Sequence, residues 1–220
     1  MKNLLLPGEK KESVQGSAGR LEVLSYETTE SARGLAVICH PHPIQGGTMN
    51  NKVVTMLHKA FAEKEFHTVR FNFRGVGESE GVFDEGIGET TDLRTVLDWA
   101  SARYPGLPLY LAGFSFGSFI AYRLASDPRY KDKIVQLISI APPVQYTEFH
   151  DLPVPACPWL VVQGEQDEIV EAKAVYAWLE SVDKAVEIVR FPEVGHFFHG
   201  KLTELKEAIK THLVLGNAPL

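Results

Sequence analysis

Short apolar runs and amphipathic stretches alternate along most of this 220-residue chain. Residues 21–26 alternate apolar and polar side chains, the pattern of a half-buried antiparallel strand, and residues 1–33 read as an opening meander around it. From Leu35 the pattern changes. Leu35–Cys39 is a continuous apolar run, as expected of a strand buried on both faces, and a loop rich in His, Pro and Gly separates it from a helical stretch over 51–64. The alternation then recurs. A strand over 67–73 leads through a Gly-rich loop to a helix over 91–104, with Leu93, Val96, Leu97 and Ala100 on one face. A strand over 109–113 runs into a helix to about 125, which Asp127-Pro128 ends. Strands over 134–141 and 159–164 follow, then a helix over 169–182, a strand over 185–191 and a helix over 201–214. Buried strands alternating with amphipathic helices predict an α/β fold, a mostly parallel sheet covered by helices on both faces. With no repeat or linker-like tract, residues 1–220 read as a single domain. In such sheets chemistry gathers in the loops beyond the carboxyl ends of the strands.

Composition narrows the classes of partner. A formal charge of -6 argues against a nucleic-acid partner, because phosphate binding rests on clustered Lys and Arg. Two cysteines, Cys39 and Cys157, each in an apolar stretch, are too few for a disulfide framework and suit a reducing cytoplasm. The longest uncharged window, 104–122, contains Pro105, Pro108, Gly106, Gly113 and Gly117, so it reads as a buried strand turning into a helix and no membrane partner is expected. The apolar stretch at residues 1–6 is too short for a signal-peptide core, so no export signal is expected.

That uncharged window holds Gly113-Phe114-Ser115-Phe116-Gly117, a G-x-S-x-G nucleophile-elbow pattern. The pattern is short and weak alone; its position, where a buried strand must turn sharply into a helix, gives it weight. The bland alternative is an ordinary turn with a serine N-cap. A serine hydroxyl needs a base within reach and an acid to orient that base, and the elbow sets their chain order as Ser, acid, His. Asp167 follows the strand Trp159–Gly164, and His196 follows the next one. All three candidates, Ser115, Asp167 and His196, fall at one sheet edge. Glu165 and Glu168 are rival acids, one too close to the strand and the other entering the helix. His199 is the rival base, nearer the following helix.

The oxyanion formed on attack needs two donors. One is the amide of Phe116, after the nucleophile; the second should come from His40-Pro41-His42-Pro43-Ile44-Gln45-Gly46-Gly47. Pro41 and Pro43 have no N–H, which leaves the backbone of His42, with Ile44 second. His40 is expected to buttress this loop. The loop around Gly75-Val76-Gly77 is not a dinucleotide fingerprint, because Glu80 stands where the third glycine is needed; Arg74 is expected to brace neighbouring loops.

Taken together these residues resemble the α/β-hydrolase superfamily from about Gly19 onward. More narrowly, His40-Pro41-His42-Pro43, the stretch Gly46 to Lys52, and Arg70-Phe71-Asn72-Phe73-Arg74-Gly75-Val76-Gly77 resemble small, capless, largely bacterial serine hydrolases of the dienelactone-hydrolase-like kind. The resemblance implies the α/β-hydrolase fold. The chain departs from that pattern in three places. His-Pro-His-Pro replaces the commoner His-Gly. Asn72 stands where many relatives carry Asp, removing a charge beside Arg74. Ser115 replaces the cysteine of dienelactone hydrolase, so that enzyme's substrate does not carry over. Relatives with caps insert them after the strand corresponding to 134–141, whereas residues 141–158 here are short and proline-rich and predict no separate cap domain. The open site is then expected to be walled by Phe83, Phe114, Phe116, Tyr146, Phe149, Phe197 and Phe198.

The resulting expectation is a serine hydrolase of small-molecule carboxylic esters or thioesters, without metal or organic cofactor. A peptidase or acyltransferase with the same triad is the alternative within enzymes, and a noncatalytic hydrolase-fold binding protein is the alternative outside them. A metal hydrolase would need His40, His42, His196 and His199 to converge.

Overall fold

In the computed structural model the described residues are 6–182 and 184–215; of the N-terminal stretch read for an export signal, residues 1–5 lie outside them. Among the described residues eight strands make one sheet: β1 Glu9–Gly16, β2 Gly19–Tyr26, β3 Leu35–Cys39, β4 His67–Phe71, β5 Leu109–Phe114, β6 Ile134–Ile140, β7 Trp159–Gly164 and β8 Glu187–Phe191. Their order is β1-β2-β4-β3-β5-β6-β7-β8. β1 pairs antiparallel with β2, and β2 antiparallel with β4; the other pairings are parallel. The helices are α1 Lys52–Ala62, α2 Ile87–Arg103, α3 Phe116–Ala125, α4 Thr147–Asp151, α5 Ala172–Ser181 and α6 Leu202–Thr211.

Alternation of side chains along each strand divides the core between two faces. Leu35, Val37 and Cys39 of β3 point to the face where Leu93, Val96 and Leu97 of α2, Ile120 and Leu124 of α3, and Val175 and Leu179 of α5 are buried. Ala36 and Ile38 point the other way, to Val53, Val54 and Leu57 of α1 and Leu205 and Ile209 of α6. Each fully buried Val, Leu, Ile or Phe contributes ~1.5–3 kcal/mol relative to exposure. No helix among the described residues is long and apolar enough to cross a membrane.

The sheet creates one position of interest. After β3 the chain crosses to β4 on one side, and it returns to place β5 on the other, so the strand order reverses between β3 and β5. Loops leaving the carboxyl ends of two such strands diverge and leave a crevice. Cys39 pairs with Gly113 in register, so the His-Pro loop after β3 and the turn after β5 leave the sheet side by side.

Several element bounds differ from the sequence reading. The strand over 67–73 stops at Phe71 because the Phe73 amide donates to Nε2 of His40 at 3.0 Å instead of to a neighbouring strand. The helix over 91–104 begins earlier, at Ile87. Its first turn is held by Glu89, whose carboxylate takes the amides of Asp84 at 2.9 Å and Gly86 at 2.7 Å. Glu89 and Asp92 are fully buried, so a buried polar patch hid this turn from apolar periodicity. The helix over 169–182 begins later, at Ala172. One strand and one α-helix of the described chain were missed: the charged edge strand β1, in which Val14 alone is buried, and the five-residue α4.

Candidate functional site

Ser115 sits between β5 and α3 with φ 53° and ψ -123°, a conformation that costs a non-glycine residue of order 1–3 kcal/mol. The glycines on either side of the turn make this approach feasible. A Cβ on Gly113 would lie 2.2 Å from the Gly117 carbonyl oxygen, and one on Gly117 would lie 2.5 Å from the carbonyl oxygens of Cys39 and His40. Strand, helix and the neighbouring loop therefore meet backbone to backbone. The Ser115 carbonyl accepts from the Ser118 amide at 2.8 Å and its hydroxyl at 2.7 Å, which fixes the start of α3. The positive end of that helix lies at the serine.

Asp167 and His196 come together from the loops after β7 and β8. Nδ1 of His196 is 2.8 Å from Oδ2 of Asp167, and both side chains are buried. Oδ1 of Asp167 accepts from the amides of Ile169 at 2.9 Å and Val170 at 2.7 Å; these bonds close a turn that delays α5. Burial alone would push the Asp167 carboxyl up, but hydrogen bonds from His196 and the Val170 and Ile169 amides outweigh it and hold the group below its ordinary value. A charged carboxylate facing Nδ1 keeps the proton there and turns Nε2 into the free acceptor.

The rivals are placed elsewhere. Glu165 and Glu168 are exposed, and Glu168 contributes through the backbone, its Oε2 accepting from the His196 amide at 3.1 Å. His199 is exposed, its ring 5.9 Å from that of Phe197. The residue before Ser115 packs on His196: the Phe114 ring lies 4.9 Å from the imidazole. Among the described residues Ser115 Oγ and His196 Nε2 have no hydrogen bond to each other. Such bonds in unliganded sites often tighten only when substrate is bound.

The side chains of the two residues expected to supply the oxyanion donors pack together. The rings of His42 and Phe116 are 5.0 Å apart, and neither backbone amide has a partner among the described residues. Ile44, the second candidate, lies in the short turn Pro43–Gln45 with its side chain exposed. His40 is the buttress expected of it. It is fully buried, with Nδ1 2.6 Å from the Pro41 carbonyl and Nε2 accepting from Phe73. Burial pushes His40 down to about 4, so the ring is neutral near pH 7. No group of three metal-capable side chains, those of His40, His42, His196 and His199 included, converges among the described residues.

Arg74 braces the loop after β4 by a two-pronged pair with buried Asp92 of α2, at 2.9 Å and 2.7 Å. Asp92 thus supplies the charge beside Arg74. Asn72 does a different job. Its Oδ1 accepts from the Met49 amide at 2.9 Å and its Nδ2 donates to buried Glu22 at 2.7 Å.

A cavity of about 290 Å³ opens beside the His42 and Phe116 pair, lined also by Phe83, Phe119, Tyr146, Glu85 and Glu148. Three expected wall residues need correction. Phe149 is core, packed on Tyr122 and Trp178 at 4.5 Å and 4.9 Å. Phe198 is core against Phe191, and Phe114 is fully buried beneath His196. Phe119, one helical turn beyond Ser115, lines the cavity and was missed; the four-residue spacing was the available signal.

Known proteins place the chain in context. The family model described as serine aminopeptidase, S33, matches residues 30–156, a stretch that includes Ser115 and ends before Asp167 and His196. The structure is similar to that of an α/β serine hydrolase homologue from Coxiella burnetii, with 45% identity, a TM-score of 0.89, and coverage of 96% of this chain and 100% of that one. It is also similar to an α/β serine hydrolase without a lid from Xanthomonas campestris, with 42% identity, a TM-score of 0.86, and coverage of 96% and 95%. An uncharacterized protein of Rickettsia prowazekii (strain Madrid E) is 34% identical over 209 residues, 90% of this chain and 86% of its own length.

Proposed function

We propose a function from the premise that this chain belongs to the serine aminopeptidase, S33, family of α/β serine hydrolases. It is a serine hydrolase that cleaves carboxylic esters, thioesters included, through Ser115, His196 and Asp167. The observation that carries this reading is the buried 2.8 Å pairing of Asp167 with His196 at the sheet edge where Ser115 sits in a strained turn.

Ser115 Oγ attacks the ester carbonyl while Nε2 of His196 takes its proton. Asp167 keeps the imidazole in the tautomer with Nδ1–H and stabilises the imidazolium. The amides of Phe116 and His42 donate hydrogen bonds to the carbonyl oxygen as negative charge develops on it. His196 returns the proton to the leaving alcohol, leaving an acyl group on Ser115. A water deprotonated by the same nitrogen then releases the acid and restores the serine. The aromatic-walled cavity beside Phe116 receives one arm of the ester, so aryl and medium acyl substituents suit it.

The description of the matching family model favours a second reading, peptide-bond cleavage by the same residues. Matched p-nitrophenyl ester, thioester and anilide substrates separate the two. The proposed activity requires ester turnover that Ser115→Ala abolishes, with the anilide far slower; an anilide cleaved as fast as the ester would favour the peptidase, and ester turnover surviving Ser115→Ala would reject the nucleophile.

A further inference from the structure

We propose that Gln163 is a positioning residue for this site, its side-chain amide holding the Asp167 carboxylate in the orientation that receives His196; the inference rests on the triad of the proposed function. Gln163 is the penultimate residue of β7 and is fully buried. Its Nε2 donates to Oδ2 of Asp167 at 3.1 Å. That oxygen is the one His196 Nδ1 meets at 2.8 Å. With the Ile169 and Val170 amides on Oδ1, four donors surround one buried carboxylate. Bonds to both oxygens stop rotation about Cβ–Cγ; Gln163 supplies the one on the working oxygen that does not come from the imidazole itself.

The orientation of the Gln163 amide follows from its surroundings. Nε2 also lies 3.0 Å from the Gly164 carbonyl oxygen and 3.2 Å from that of Val170, so three acceptors face it. Turned over, Oε1 would face three oxygens with no proton between them. In the orientation adopted, Oε1 is buried without a hydrogen-bond partner. An apolar side chain of similar shape would avoid that orphan. What it would lack is the N–H on Oδ2. By spreading the charge of Oδ2, this bond keeps Asp167 an acceptor of the Nδ1 hydrogen bond and lets the proton stay on the ring when the imidazolium forms. The other carboxylate touching the pair is Glu168, through the His196 backbone amide at 3.1 Å.

The test uses Gln163→Met and Gln163→Glu in the full-length protein, with a neutral p-nitrophenyl ester, thermal unfolding and pH profiles of kcat/KM. Gln163→Met should lower kcat by about 10-fold with KM unchanged. Its ascending pH limb should move to higher pH, because a less dispersed carboxylate stabilises the imidazolium, and Tm should change little, because removal of the orphaned Oε1 offsets loss of the N–H on the Gly164 and Val170 carbonyls. In Gln163→Glu the introduced carboxyl is kept protonated by its neighbour and donates an O–H in place of the N–H. As pH rises it ionises, so this variant should show a descending alkaline limb that the wild-type protein lacks. A kcat loss accompanied by a lower Tm and unmoved pH limbs, or wild-type behaviour in both variants, would overturn the inference. The low-field proton resonance of His196 Nδ1–H gives a readout independent of turnover. It should shift or broaden in Gln163→Met, and an unchanged resonance would overturn the inference even if no ester proved to be a substrate. Absence of turnover in the wild-type protein would instead count against the proposed function.

Discussion

Asp167 Oδ2 and His196 Nδ1 stand 2.8 Å apart with both side chains out of solvent, so the orientation of the imidazole depends on that carboxylate. Asp167→Asn keeps the shape and removes the charge, and it offers an N–H where the ring needs an acceptor. The imidazole would then favour the tautomer with its proton on Nε2, facing the serine. Turnover of a short ester should fall by about 10³–10⁴-fold with KM little changed. Steady-state kinetics check this; a loss under tenfold would mean that Asp167 does not orient the base.

Buried histidines set the first stage of acid sensitivity. Burial pushes His40 and His58 down to about 4, whereas their ordinary value is 6.5. Below 6.5 the unfolded chain binds protons that the folded chain does not, so stability should decline as pH falls from about 6.5 to 4. The carboxylates act lower. For Asp167 and Glu22 burial raises the value, but hydrogen bonds hold each below its ordinary carboxylate range. Their stabilisation is present above the unfolded value, about 4, and is lost as pH falls through the folded one. Urea unfolding from pH 7 to 3 should show both stages, and His40→Gln should flatten the first.

Asn72→Asp would restore the residue common among relatives, yet here it is expected to destabilise. The Nδ2 that donates to Glu22 at 2.7 Å would become an oxygen, leaving two carboxylates face to face in a buried site. Loss of that bond, with an unpaired buried charge, should cost about 2–4 kcal/mol, offset in part by nearby Lys11. Denaturant unfolding measures this. Unchanged or greater stability would show that the Glu22 contact does not govern the choice.

The cavity beside Phe116 carries Glu85 and Glu148 and no Lys or Arg among its lining, and burial holds the lining His42 below its ordinary value. An ester with a carboxylate on the arm that enters it should therefore be turned over several-fold more slowly than its neutral isostere. Added salt should narrow the gap, because both carboxylates are exposed. The paired substitution Glu85→Gln and Glu148→Gln should close it while leaving the neutral ester unaffected. A comparison of kcat/KM for the two esters decides the point.

Much of the fold was legible because strands buried on both faces leave uninterrupted apolar runs. Leu35–Cys39 and Trp159–Gly164 were bounded correctly for that reason. The polar contacts were not legible. That His40 takes the Phe73 amide depends on partners 33 residues apart, whereas Glu89 holds the first turn of α2 through the nearby amides of Gly86 and Asp84, a local polar signal that apolar periodicity passes over. At the site, the juxtaposition of Asp167 with His196 follows from the order of parallel strands and from loops leaving the same sheet edge. Gln163 has no such signal: in sequence it is one more residue of a buried strand, and its role comes from facing the carboxylate four positions later. The cavity walls were misjudged where an aromatic residue of the short helix α4 or of a loop packs into the core, as Phe149 and Phe198 do.

The most direct measurement of the central claim is peptide mapping by mass spectrometry after reaction with a fluorophosphonate. The account predicts one adduct per chain, on Ser115, formed slowly or not at all in Asp167→Asn and absent in Ser115→Ala. An adduct on a different residue, or none on folded wild-type protein, would contradict it.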